Sequence, residues 1–546
     1  MRLRSALSVA ALVLLCLRGD PQARAAPEYR GIISFHVQLI GHDPLYSRGM
    51  NAALAIYDHY VYIGNRTDSS ATCVGATGLP SGDTCLHPHP GILIVDVKDP
   101  AHPADVGEIG PPHAGNVGIT TRELRVWPDQ KLLIVMNFRC SLALHACKSG
   151  TDEEFPFDIS FFDLSDPVNP KFLSAYVPTS KAGRKVKPHE MFLWVDPKKA
   201  KRALLYLSTP TISTDPSVPN LVVADISRVA AGGSAIEVAE GNWNDLYPGA
   251  NSPNYPMVVG SKDKCGPYDC NLFVHSVSVS VDGARAFLSM EAGQFLILDT
   301  HTVADATQPH GVLSLNDDLL TLPANRPLWE QTPADARAIP DPCSHACPNG
   351  HSAVKVPGRN LVLTTDEVYG TYTSDNAGCP WGWQHLIDIS DAAHPKIVSE
   401  FKAPFDEKTF CTDPMNDART NAYTSFSSHN PTVLPNLAIV AWHSAGLLII
   451  DISDPVHPAR AGWFSPFWLA SVSTQDPALG RGSDAAGKVI MWSYPIVKEG
   501  LIYVVDVRNG LYVLRYTGPH ADEVNAVKFL EGNSNLGDAA RLDQVR

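Results

Sequence analysis

The stretch GLLIIDISDPVHPARAGWF, residues 446–464, decides the fold. An apolar run ends in Asp451, a Ser-Asp-Pro turn follows with a second proline three residues on, and a new strand-like segment begins at Ala459. An aspartate side chain accepts bonds from the amides of such a turn and proline pre-sets its φ, so the pattern predicts two strands around a fixed turn. The same pattern returns as GILIVDVKDPAHPADVGEI (91–109), ISFFDLSDPVNPKFLSAY (159–176), LVVADISR (221–228), QFLILDTHTV (294–303), HLIDISDAAHPKIVSEF (385–401) and, degenerate, GLYVLRY (510–516).

Upstream of these copies lies a further pair of strands, clearest in HSVSVSVDGARAFLSME (275–291), where two alternating segments flank a tight Asp-Gly turn. The repeating unit is therefore four antiparallel strands, starting near residues 50, 121, 188, 274, 350, 428 and 490. One such unit cannot bury both faces alone, whereas packing between neighbours buries them. The expectation is an all-β chain, a seven-bladed β-propeller over residues 26–519. The unclaimed strand GIISFHVQLI (31–40) should complete the last blade, which ends early at Tyr516, and close the ring. The polar tail over 520–546 is expected to be loose.

These runs resemble the LVIVD repeat family, named for the run that stands here as LIVDV, FFDLSDP and LIIDISDP. The resemblance covers most of the chain after residue 25 and implies a secreted or surface bacterial propeller. It implies little about chemistry, because propellers host many unrelated functions.

The start of the chain supports export. Arg2 and Arg4 precede an apolar run over 7–17, and Ala23-Arg24-Ala25 has the small-x-small form of a cleavage site, so residues 1–25 read as a signal peptide. No later stretch reaches the roughly 20 apolar residues of a spanning helix. A secreted or periplasmic location follows as the expectation. Apart from Cys16, ten cysteines fall into sequence-near pairs (Cys73/Cys85, Cys140/Cys147, Cys265/Cys270, Cys343/Cys347 and Cys379/Cys411) that read as local disulfide bonds in an oxidising compartment. The net charge of −14, with no basic stripe, argues against nucleic acid and anionic membranes as partners. A small-molecule substrate or an extracellular protein is the partner expected.

Histidine carries the chemistry. His102, His394 and His457 recur with the Asp-Pro turn and read as solvent-facing turn residues. His189, His275, His351 and His429 recur at a different phase, each opening the first strand of a blade. In a propeller that strand lines the central channel, so four consecutive blades would bring an imidazole to one mouth. Arg122 holds this phase in the second blade, Asn51 in the first, and Trp492 or Ser493 in the last. The second strand returns to the same mouth and ends in Glu291, Glu367 and His443 at matched spacing. Glu190 lies beside His189, but strand alternation turns it away from the channel.

Neutral imidazoles converging with carboxylates suit a borderline transition metal, iron or copper ahead of zinc here. His189, His275, His351 and His429 are the expected ligands. Glu291 and Glu367 would orient them, and His443 is a fifth ligand or a general base. The arrangement is similar to the four-histidine iron centre of carotenoid-cleaving oxygenases and to the copper site proposed for the methanethiol oxidase family, although the surrounding motifs match neither. A metal-dependent oxidoreductase or oxygenase is one reading. The other is a non-catalytic surface propeller whose long insertions, near 140–157, 229–273, 304–349 and 402–427, meet a partner.

Overall fold

The structure, a computed structural model, describes residues 33–70, 87–139, 157–209, 218–241, 274–290, 294–304, 350–367, 382–392, 395–406, 426–466 and 490–544, with a few short pieces between. Residues 1–25, Glu291, His394, and at least one member of every expected cysteine pair lie outside the described residues, as do most of the four long insertions.

The chain is an all-β repeat protein with the β-propeller fold; among the described residues its strands are gathered mainly in antiparallel sheets and its helices are short. The unit around the opening stretch shows the design: Pro431–Val433, Leu437–Trp442, Gly446–Asp451 and Ala459–Ser465 pair in chain order. The turn aspartates work as their chemistry requires. Asp96, Asp163, Asp225, Asp388 and Asp451 each accept the amide two residues on at 2.8–2.9 Å. Asp299 does the same at 3.2 Å. In the last unit the third strand, Gly510–Tyr516, ends in tyrosine, so this copy lacks the turn aspartate. His102 and His457 are exposed and bond the second turn aspartates, Asp99 and Asp454, at 2.9 and 3.0 Å.

Consecutive units pack through hydrophobic clusters. Val440, Leu448 and Ile450 of the unit around the opening stretch meet Leu363 and Leu386 of the unit before it. Their outer faces, Ile439, Leu447 and Ile449, meet Val504 and Leu514 of the unit after it. Tyr503, Val505 and Val513 of that last unit meet Leu54, Ile63 and Leu93 of the first. Each such buried aliphatic side chain contributes about 1.5–3 kcal/mol, all of it dependent on the neighbouring unit being in place.

Hydrogen bonds between innermost strands reinforce the same contacts. The hydroxyl of Ser278 donates to the Ala353 carbonyl at 2.6 Å, that of Thr432 to Pro495 at 2.5 Å, and that of Ser493 to Ala52 at 3.1 Å.

The N-terminal strand is divided. Val37–Asp43 pairs with Gly510–Tyr516 of the last unit, as expected, but Ile33–Phe35 pairs with Ala459–Ser465 of the unit before. His36, at φ 55°, makes the break between them.

The junction of this closing strand with the first unit carries a carboxyl pair. Asp43 and Asp105 are hydrogen-bonded to each other, and burial together with the Asp43 charge pushes Asp105 up to about 7. A carboxyl whose folded value lies above its unfolded one supports stability at low pH and loses that support as pH rises through the folded value. Stability should therefore decline between about pH 4 and pH 7 through this pair. Asp105→Asn is expected to remove that dependence and to raise the melting temperature at pH 8, measured by thermal unfolding across pH.

Gly283 of the Asp-Gly hairpin stands at φ 76°, and a Cβ there would come within 2.4 Å of the Trp194 ring. Gly283→Val adds roughly 1–2 kcal/mol of left-handed strain to about 1–3 kcal/mol of overpacking, so the melting temperature should fall by a few degrees. Gly183, at the same φ but in open space, isolates the strain: Gly183→Ala should cost less than half as much in the same assay.

The segment after residue 520 corrects its expectation, for it is folded and packed rather than loose. Ala521–Asn525 and Ala539–Asp543 are helical, and Phe529–Glu531 pairs with Ile496–Lys498 of the last unit. Val524, Val527, Leu530 and Leu542 are buried. The segment then crosses to other units: the Val195 amide donates to Asn535 at 2.7 Å, and Lys355 meets Asp543 at 2.5 Å. Val195 and Lys355 end their innermost strands, so the tail covers the mouth opposite the one where those strands begin.

Candidate metal centre

The first strands begin at the mouth opposite the tail, and local backbone irregularity aims their first side chains. In one unit Val274 pairs with Met290 and Ser276 with Ser289, leaving His275 as the extra residue of a bulge. In the next, Gly350 pairs with Asp366 and Ser352 with Thr365, so His351 is the extra residue in the same place. A bulge frees one residue from the ladder and redirects its side chain. His189 and Glu190 stand just before the strand Met191–Val195, held by a His189 amide bond to Ser208 at 2.8 Å and a Ser208 amide bond to Glu190 at 3.0 Å. His429 precedes Pro431–Val433, its amide bonded to Ala441 at 2.9 Å.

The returning second strands add their partners. Glu367 directly follows Leu361–Asp366 and His443 directly follows Leu437–Trp442, the same position in two units. His443 holds an unusual φ of 28° in a turn whose carbonyl accepts bonds from Gly446 and Met491, both at 3.1 Å. A non-glycine residue kept in that region is held by its surroundings.

Together these side chains form a file of imidazoles. Ring centroids lie 4.5 Å apart from His189 to His275, 4.0 Å to His351, 3.7 Å to His429 and 4.9 Å to His443. Nε2 of His189 is 3.1 Å from Nε2 of His275. The Glu367 carboxylate lies against Nε2 of three rings, 3.1 Å from His443, 3.3 Å from His429 and 3.6 Å from His351. Glu190, which alternation turns away, instead reaches to 3.8 Å from Nε2 of His351 and accepts a bond from the Tyr494 hydroxyl at 3.3 Å. Alternation fails there because Glu190 precedes the first regularly paired residue of its strand.

The potential ligand atoms converge as two groups, Glu190–His275–His351 and His351–Glu367–His429, each within 4.8 Å. All these residues are buried, and they line a cavity of about 180 Å³ whose remaining wall includes Arg66, Arg122, Phe138 and Trp492. The repeat phase predicts Arg122 and Trp492 here; Arg66, stacked 3.9 Å over the Trp492 ring, has no signal in the repeat. Trp383 and Trp442 belong to the core between units.

The outward ring nitrogens have partners that fix tautomers. Nδ1 of His429 meets the Trp492 carbonyl at 2.5 Å, and Nδ1 of His351 meets the Ser352 hydroxyl at 2.9 Å. These groups, and not Glu367, occupy the orienting positions, because Glu367 shares the Nε2 side on which an ion would sit.

Electrostatics match ligation. Burial holds His275 and His443 down at about 4. Burial also holds His189 and His351 well below the ordinary value, helped by His275 and Arg122 at His189 and by His429 and His275 at His351. These four rings are neutral at pH 7, the form that binds metal. Burial opposes the charge of Glu367, yet His429 and His351 hold it well below the usual carboxylate range. Burial and then Glu123 push Glu190 well above it.

Residues 432–464 match the LVIVD repeat family model, the family the repeats resemble. No curated protein matches the sequence. Among solved structures, the chain is similar to a protein from Lactobacillus plantarum (9% identity, TM-score 0.41, covering 76% of this chain and 85% of that one). It is also similar to Sqt1 of Chaetomium thermophilum (12%, 0.39, 86% of each chain) and to the periplasmic gluconolactonase of Pseudomonas aeruginosa (10%, 0.38, 76% and 86%).

Proposed function

We propose that the chain is an exported, seven-bladed propeller metalloprotein that holds a transition ion, iron or copper ahead of zinc, at the mouth where the first strands begin and uses it for redox or oxygen chemistry on a small molecule. The blade count is supported by six Asp-turns, by a seventh unit that ends in Gly510–Tyr516 without one, and by the packing of that last unit on the first. The observation that carries the metal reading is the convergence of buried imidazole Nε2 atoms and carboxylates on one cavity. No mixed set of this kind is needed to terminate strands.

A bound ion supplies Lewis-acid or one-electron chemistry with no covalent nucleophile. The chain's part is to hold the rings in one tautomer, to exclude bulk water by covering the far mouth, and to set the charge of the entrance. Arg66 and Arg122 there favour an anionic substrate. Among the described residues no helix is long and apolar enough to cross a membrane.

The test is metal analysis of the untagged full chain purified from the exported fraction. At least one transition ion per chain is expected, with loss of more than tenfold in affinity in His275→Ala. A metal-free protein that also takes up no iron, copper or zinc on dialysis would overturn the reading and leave the non-catalytic surface propeller.

A further inference from the structure

The histidines and their carboxylates fill only part of the mouth. We infer that the remaining part, built by Arg66 and Arg122 with Trp492 and Phe138, is the substrate side, and that it holds the carboxylate of a small, flat organic acid against the imidazole file. This rests on the reading of the mouth as the functional site and narrows its anionic substrate to one class.

Placement is the first argument. Asn65 and Thr121 are partners where Tyr60–Asn65 of the first unit meets Ile119–Trp127 of the second, and the Asn65 amide donates to the Thr121 hydroxyl at 2.9 Å. Arg66 and Arg122 are each one residue further on. Residues one step past an antiparallel pair turn to the same side of it. Both guanidiniums accordingly line the one cavity.

Two rings carry these charges to the ends of the file. Arg66 lies 3.9 Å over the Trp492 ring, and Trp492 is 5.7 Å from His443 by centroid. Arg122 lies 4.5 Å over the Phe138 ring, and Phe138 is 6.4 Å from His189. A guanidinium seated over an aromatic ring directs its donors outward, in a fork that matches a carboxylate.

The cavity's own carboxylates face elsewhere. Glu367 lies against three imidazoles, Glu190 accepts from Tyr494 at 3.3 Å, and Glu123 pairs with Arg125 at 3.1 Å. The two arginines therefore set the sign of this side of the mouth, and a metal ion adds to that sign instead of opposing it.

Size and shape select within the anions. The cavity of about 180 Å³ slightly exceeds the roughly 150 Å³ that admits benzene, so the body of the acid is about one ring in size. Much of the wall is itself ring, the neutral imidazoles and the two aromatics, and this favours a flat apolar body over a hydrated inorganic anion.

The experiment is calorimetric titration of the untagged full chain, as purified and after metal depletion, with benzoate, its neutral isostere benzamide, and inorganic phosphate. Benzoate is expected to bind more tightly than either of the others, by about tenfold or more. Arg66→Gln and Arg122→Gln should each weaken benzoate by a similar factor and leave benzamide as it is, a contrast that misfolding would not produce. Benzoate that binds in neither form, or no better than benzamide, overturns the arginine site without any variant. Phosphate as tight as benzoate marks an inorganic-anion site and overturns the organic acid. Benzoate binding in a chain that takes up no iron, copper or zinc supports this site while overturning the metal reading; metal uptake without benzoate binding does the reverse.

Discussion

Replacing His351 by alanine is expected to weaken metal binding more than any other single substitution, by well over tenfold for every ion the mouth holds. The ring is 1% exposed and lies between its neighbours, 4.0 Å from His275 and 3.7 Å from His429 by centroid. It is the residue common to both convergent groups. Its removal therefore takes a ligand or a wall from every ion placed there, whereas each other histidine belongs to one side. Loss of a partner one layer out already costs about 10–100-fold in affinity, and a direct ligand costs more. The metal-free form should be little harmed, because the ring is a buried polar group that gains most of its worth from the ion.

Two melting curves check this. In the unsubstituted protein, metal at 100 times the dissociation constant should add about 2.7 kcal/mol to stability; in His351→Ala the same concentration should add almost none. His457→Ala, on an exposed turn, should behave as the unsubstituted protein does. Equal metal stabilisation in all three proteins would remove His351 from the site.

Ending the chain after Thr517 is expected to be the most damaging change to the fold. The tail buries Val524, Val527, Leu530 and Leu542, each contributing about 1.5–3 kcal/mol. It also completes the sheet of the last unit through Phe529–Glu531 and ties the ends of two other innermost strands through Asn535 and Asp543. The sum rivals the whole stability of an ordinary domain, about 5–15 kcal/mol. The truncated chain should be insoluble or should melt more than 10 °C lower. A truncated chain within a degree or two of the full one would return the tail to the loose segment its polarity suggests. Opening the far mouth should also admit water to the channel, so any metal retained should exchange faster with a chelator.

Much of this was legible in residue order. The Asp-turn is chemistry within five residues, and such local chemistry survives any arrangement of units. It therefore gave the repeat and its phase, and it left over an extra strand at 31–40, of which only the later part, within Val37–Asp43, meets the last unit. Because the phase is reliable, it also picked out five histidines and Glu367. The tail was illegible for the opposite reason: its few apolar residues, spaced across turns and two short helices, bury themselves only against units hundreds of residues earlier. Glu190 was hidden by a rule that holds inside regular strands and fails at their first residue.

The sequence by itself determined the repeat, the turn that punctuates it and the phase at which histidine recurs, since each follows from propensities and bonds between residues close in the chain. Only the tertiary structure decided where those histidines point and how they group. His275 and His351 turn inward because a bulge releases them from pairing, and a bulge is set by the register of two strands. Glu190 and Glu367 then divide the file because they come from different units, at distances that exist once the units stand side by side.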